Sequence, residues 1–122
     1  MAEPVHAICV HLGLRESHRR HQLQRLCHLA KVQIPVHEAL LVAGDFNDWR
    51  QRANRILADC GLSEVYTRHF GRPARSFPAF CPFLRLDRIY VRGVRASRPT
   101  ALATRVWAHL SDHAPLAAEV AL

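Results

Sequence analysis

Asp45 and Asn47, in the stretch Val42-Ala43-Gly44-Asp45-Phe46-Asn47-Asp48-Trp49, are the pair best suited to chemistry on a phosphate. They stand two positions apart, so on an extended backbone they point the same way. A carboxylate and an amide converging there can orient a water while the amide donates a hydrogen bond to a phosphate oxygen. Gly, Asp and Asn are also turn formers, and taken alone a plain strand-to-turn corner accounts for them equally well. Asp87 lies in Leu86-Asp87-Arg88-Ile89-Tyr90-Val91, where alternation puts it on the face of Ile89 and Val91. An unpartnered carboxylate is expensive to bury there. His113 or a nearby arginine can serve as its partner. Asp112 and His113, in Ser111-Asp112-His113-Ala114-Pro115-Leu116, and His11, in His11-Leu12-Gly13-Leu14, complete the set. On its own, His11 reads as a histidine satisfied within a core.

These residues need elements to hold them. Ala39-Leu40-Leu41-Val42-Ala43 has the length and aliphatic content of a buried strand, broken by Gly44, with polar groups at its carboxyl end. Layered α/β folds tend to place ligand chemistry at such ends. Residues 5–12 read as a strand buried on both sides, entered at Pro4 and left at Gly13. Ser17 caps a helix running to about Lys31, with Leu23, Leu26, Cys27 and Ala30 as its apolar stripe. Arg19, Arg20, His21 and Arg25 lie mostly off that stripe as a solvated face, and His18, His21 and His28 read as surface positions. A second helix spans residues 49–60 and stops at Gly61. Residues 62–66 read as a brief ordered connection. Residues 68–82 form a loop punctuated by Gly71, Pro73, Pro78 and Pro82, with three arginines and Phe70, Phe77 and Phe80 in it. A loop of that length in a small domain is usually functional or mobile. Further strands are expected at 86–91, 94–102 and 115–122. There is no internal repeat and no low-complexity tract.

The ordered set HLGL, GDFN, LDRIYV and SDHAPL resembles the endonuclease/exonuclease/phosphatase superfamily of metal-dependent phosphoesterases, the DNase I-like fold, and the variant GDFNDWR is similar to an uncharacterised bacterial branch of it. The motifs cover nearly the whole chain. The resemblance implies an α/β fold, the carboxyl-terminal half of a two-layer α/β sandwich, with a mixed, mostly antiparallel sheet and flanking helices. It implies that Asp45 orients or deprotonates an attacking water and that Asn47 holds that water and bonds the phosphate. His113, polarised by Asp87, would act as acid or base, and His11 would stabilise developing charge. Asp112, with Asp45 and Asn47, would form the shell of Mg²⁺ or Mn²⁺, hard cations that take oxygen ligands. In-line hydrolysis of a phosphodiester needs an oriented water, relief of phosphoryl charge and help for the leaving oxygen. Three carboxylates, one amide and two histidines are a sensible kit for that.

Full members are about twice this length, and their first half carries an Asn and a metal-binding Glu that nothing before His11 supplies. Residues 1–122 are therefore expected to form a partial domain: a truncated gene product, a fragment, or one piece of a split protein. The expected consequences are weak Mg²⁺ binding, negligible turnover alone, and self-association or pairing with a missing amino-terminal half. The inner sheet face, assigned to Ala7, Cys9, Leu40, Val42 and Ile89 or Val91, would want a partner layer.

Totals narrow the rest. The 122 residues allow one domain, 49% hydrophobic and 22% charged, which excludes a disordered chain. Apolar runs are too short to span a bilayer, and the first residues, Met1 to Pro4, lack the makings of a leader, so a cytoplasmic location is expected. The net charge of +7, nearly all from Arg, suits a polyanionic partner such as nucleic acid or a phospholipid headgroup. A GC-rich coding bias toward Arg explains the same composition. The alternative function is a basic binding module that keeps the motifs as relics. Cys9, Cys27, Cys60 and Cys81 have no CxxC spacing and read as reduced, mostly buried thiols rather than a zinc site.

Overall fold

The computed structural model describes residues 3–122; Met1 and Ala2, part of the stretch read for a leader, lie outside the described residues. Four strands form the main sheet: β1 (Val5–His11), β2 (Ala39–Asp45), β3 (Ser63–Glu64) and β4 (Asp87–Arg92). Their order is β1-β2-β4-β3. β1 and β2 are parallel, joined by helix α1 (Glu16–Gln33), while β4 runs antiparallel to both β2 and β3. β5 (Arg95–Ala101) and β6 (Leu116–Ala121) make a separate antiparallel pair. Short helices α2 (Ala53–Ala58), α3 (Val65–Phe70) and α4 (Arg105–Ala108) fill the connections. This is the mixed α/β architecture expected.

The core lies between the main sheet and the helices α1 and α2. Leu40, Val42 and Tyr90 from the strands meet Leu23, Cys27 and Ala30 of α1 and Leu57 of α2, with Phe46 beside them. Leu40 and Val42 thus face the helices, not an absent layer, because Leu40 pairs with Arg92 and Val42 with Tyr90 on the helix side. On the opposite face Leu41, Ile89 and Val91 pack against Leu116, Ala118 and Ala96 of the β5–β6 pair. β1 alternates exposed and half-buried, so Val5, Ala7 and Cys9 lie open and the strand is not buried on both sides. Tyr66 of α3 rivets the two sheets: its hydroxyl meets the carbonyls of Thr100 and Ala117 at 2.5 and 3.0 Å and accepts from the Ala117 N–H at 3.1 Å.

Several local expectations are corrected. β2 does not stop at Gly44 but runs through it to Asp45. Gly44 has φ 144°, and a Cβ there would sit 1.9 Å from the Val10 carbonyl oxygen, so the glycine lets β1 approach rather than ending the strand. Helix α1 begins at Glu16, which places Ser17 inside its first turn; the cap position is Arg15, without a side-chain cap. Arg19 is buried, not solvated, donating to the carbonyls of Gly13 and Leu14. α2 starts at Ala53 instead of Trp49 because Asp48 takes the helix-opening N–H groups, accepting from Arg52 at 2.9 Å and Ala53 at 2.7 Å. Residues 65–70 are helical, capped by the Glu64 carboxylate on the N–H groups of Tyr66 and Thr67. Gly71 closes that helix in the left-handed conformation, so the following loop begins there. Cys27 and Cys60 are buried, whereas Cys9 and Cys81 are exposed.

Candidate functional site

The strand register builds the site. His11 pairs with Asp45 across β1 and β2, and Asp45 pairs with Asp87 across β2 and β4. Three side chains are thereby set in one row over adjacent strands, at the ends of β1 and β2 and the start of β4. His113 reaches the row from the turn before β6. Its Nδ1 lies 2.6 Å from Asp87 Oδ2 and its Nε2 3.7 Å from Asp45 Oδ2. His11 Nε2 approaches the same Asp45 oxygen at 3.6 Å, with its side chain 79% exposed. Asp45 therefore stands between two imidazoles.

The loop 76–79 steadies this corner. The Ser76 hydroxyl donates to Asp87 Oδ2 at 2.6 Å and accepts from the Asp87 N–H at 3.2 Å. The Ser76 carbonyl accepts from the Ala114 N–H at 2.7 Å, and the Phe77 ring packs 5.0 Å from the His113 ring. Ser76 escaped the sequence reading because nothing periodic marks it; its place in a long loop was the available signal. Burial disfavours a charged His113, but the hydrogen bond and charge of Asp87, with the charges of Asp45 and Asp112, outweigh it and raise the imidazole pKa above its usual value.

Asn47 departs from the extended geometry read from sequence. Its φ is 48°, a left-handed conformation that Asn tolerates. Its N–H bonds Asp45 Oδ1 at 2.9 Å, and its side-chain N–H₂ donates to the Leu12 carbonyl at 2.7 Å, tying the end of β1 to the loop after β2. Asp48 and Arg88 form a buried ion pair at 3.2 Å beneath. Arg88 also donates to the Asp48 carbonyl at 2.6 Å, which pins the GDFN turn onto β4. Of the two partners considered for Asp87, the structure supplies His113; Arg88 is taken by Asp48.

Asp45, Asp87 and His113 bring ligand atoms within 4.8 Å of one another, a set able to hold a metal ion. Asp112 is exposed and lies outside that group, with its carbonyl accepting from the Ala79 N–H at 2.7 Å. A groove of about 370 Å³ beside the row is lined by Gly44, Asp87, Ser111 and His113. A larger cavity, about 600 Å³, lies between Phe80 and Arg105 and contains none of these residues.

Residues 3–113 match the model of the Endonuclease/Exonuclease/phosphatase family, and the chain belongs to that family. It is 59% identical over 119 residues to the uncharacterized protein YbhP of Escherichia coli K12, covering 97% of this chain and 47% of that one. A UPF0294 protein of Yersinia pseudotuberculosis is 38% identical over 98 residues, which is 71% of this chain and 32% of that one. The chain thus spans about half the length, or less, of the curated relatives it matches. Among solved structures, a conserved protein of unknown function from Enterococcus faecalis superposes with a TM-score of 0.78 at 23% identity, covering 99% of this chain and 51% of that one. TDP2 of D. rerio, complexed with a single-strand DNA product, gives 0.70 at 17%, covering 95% and 56%. A Bacteroides thetaiotaomicron mannosyl-6-phosphatase gives 0.67 at 19%, covering 95% and 51%. These likenesses establish the DNase I-like fold, with this chain matching about half of each larger one. No described helix is long and apolar enough to cross a membrane.

Proposed function

We propose that residues 1–122 form the carboxyl-terminal half of a Mg²⁺- or Mn²⁺-dependent phosphodiesterase domain. The carrying observation is the row His11–Asp45–Asp87 with His113 held between the two carboxylates. Asp45, flanked by imidazoles, orients or deprotonates the attacking water. Asn47 holds that water and the phosphate. His113 acts as acid or base, its tautomer fixed by Asp87, and Ser76 positions Asp87. His11 stabilises charge from the open side. The donor set fits a hard divalent ion: Asp45 and Asp87 offer carboxylates close together, and Asp112 an exposed one. Of the compact set Asp45 would hold the ion, with Asn47 and, from outside that set, the exposed Asp112 as further oxygen donors; when bound, the ion relieves charge on the phosphoryl oxygens.

The relatives' extra length supports a second half that completes the domain, and residues 1–122 taken alone should bind Mg²⁺ weakly and turn over negligibly. The open β1 residues Val5, Ala7 and Cys9 favour association, with that half or between copies. TDP2's single-strand DNA product supports a nucleic-acid diester as substrate, and the net charge of +7 supports any polyanion, phospholipid headgroups included.

The test is to mix the chain with a separately produced amino-terminal half of YbhP and assay a chromogenic phosphodiester with Mg²⁺. Asp45→Ala and His113→Ala should each lower the rate on the order of 10² to 10⁴-fold. Activity that survives both substitutions would overturn the assignment.

A further inference from the structure

The hairpin that steadies the site also carries groups the proposed hydrolysis does not use. Its arms are joined by the Ser76 N–H on the Leu84 carbonyl and the Leu84 N–H on the Phe77 carbonyl, both 2.9 Å. At its tip Phe80 is 82% exposed and Phe83 62%. Beside the tip stands α4, which lines a shared cavity with Phe80. On and just after α4, Val106 and Leu110 are 69% and 71% exposed, and Trp107 is partly so. Five large apolar side chains on two neighbouring segments exceed the scattered exposure normal for a surface.

One cation stands beside them and others at the base of the hairpin. Arg75 and Arg85 stand at the base of the two arms, Arg72 lies three residues earlier, and Arg105 opens α4 beside Phe80. Among the described residues none of these four is ion-paired; the arginines that pair with carboxylates are others. The Arg85 Nε is buried without a hydrogen-bond partner. Burial, then the charges of Arg75, Arg72 and Arg88, lower the pKa of Arg85. Arg88 is neutralised by Asp48, whereas Arg72, Arg75 and Arg85 have no carboxylate partner among the described residues.

We propose that the Phe80–Phe83 tip and α4 insert together into an anionic phospholipid surface, with Arg72, Arg75, Arg85 and Arg105 at headgroup level. The chemistry chooses between polyanions. Phe80, Phe83 and Trp107 can stack on bases, but Val106 and Leu110 have no π-face and gain nothing from a single strand. All five gain from the boundary between headgroups and acyl chains, where rings and aliphatic side chains sit beneath a layer of Arg. The Ser76 hydroxyl on Asp87 links this hairpin directly to the row of site residues. Resting on the phosphoesterase reading, this deepens it: the diester within reach is a phospholipid headgroup.

The experiment is vesicle co-sedimentation of the whole chain, with phosphatidylcholine alone and with phosphatidylcholine mixed with phosphatidylglycerol, without metal. Binding is expected only to the mixed vesicles and to weaken with salt. Phe80→Ser/Phe83→Ser should lower the partition coefficient roughly tenfold or more, and Val106→Ser/Leu110→Ser tests the second segment independently. In a Trp49→Phe background, Trp107 emission should shift to the blue on binding. His113→Ala should bind as the native chain does, so failure here leaves the hydrolysis assay to judge the catalytic reading alone. No binding to mixed vesicles overturns the proposal. So does binding indifferent to both serine pairs, or a single-stranded oligonucleotide bound while vesicles are not.

Discussion

His113 Nδ1 lies 2.6 Å from Asp87 Oδ2, and the same oxygen accepts the Ser76 hydroxyl at 2.6 Å. Asp87 thus fixes the ring so that Nε2 faces Asp45 and the open side of the row. Asp87→Asn keeps the shape but removes the charge and offers an N–H₂ where an acceptor is needed. In the two-half assay its kcat should fall on the order of 10² to 10⁴-fold with KM nearly unchanged. A change confined to KM would mean that Asp87 serves binding instead.

The Asp48–Arg88 pair is almost wholly enclosed, its side chains 4% and 0% exposed. Asp48→Ala leaves the guanidinium buried with its charge uncompensated and strips two N–H groups at the start of α2 of their acceptor. Urea unfolding should show a loss of about 3–5 kcal/mol. A loss below about 1 kcal/mol would show that Arg88 finds another partner or water.

Gly44→Ala should be costly although it adds only a methyl group. The backbone there has φ 144°, and the new Cβ would strike the Val10 carbonyl. Strain and the forced separation of β1 from β2 together should cost roughly 2–5 kcal/mol. The urea midpoint reads this directly. The substitution should also loosen His11 from Asp45, one register step away.

Burial pushes the Tyr66 hydroxyl up to about 12 and raises Tyr90 as well. In the unfolded chain both ionise near pH 10. A raised folded value means the stability they contribute is complete below about pH 10 and is lost as pH climbs from there through about 12. Ultraviolet difference absorbance should therefore show no tyrosinate in the native protein near pH 10, and its later appearance should coincide with loss of the circular dichroism of the fold. Half-ionisation of one tyrosine near pH 10 in the folded state would contradict the enclosure of Tyr66 or Tyr90.

Much of the architecture was legible because it is written in short-range pattern. The run 39–43, the alternation at 86–91 and the α1 stripe each announce an element. Gly44 misled because punctuation is the commoner use of glycine; its role here depends on a neighbouring strand that local sequence does not reveal. Asn47 misled for a related reason: an Asn two residues after an Asp fits an extended chain or a left-handed turn. α3 was missed because a six-residue helix shows little periodicity and its cap is Glu64, not Ser, Thr, Asp or Asn. The types of residue suited to the site could be picked out. Their alignment in one row could not, since it arises from a strand order that skips in sequence. Neither could which layer Leu40 and Val42 face and which Leu41 faces, since that depends on where the helices and the β5–β6 pair come to lie.

That skipping order also bears on how the molecule comes together in time. β2 pairs with a strand 34 residues before it and another about 42 residues after it, as the couples His11–Asp45 and Asp45–Asp87 record. Loops that long must close before their contacts repay the lost chain entropy. No single element holds two members of the row, so a strand or helix that forms by itself carries no rudiment of the site. The row should therefore form late and all at once. It should also be among the first features lost on unfolding, with Asp45, on the middle strand, the residue whose exposure marks both events.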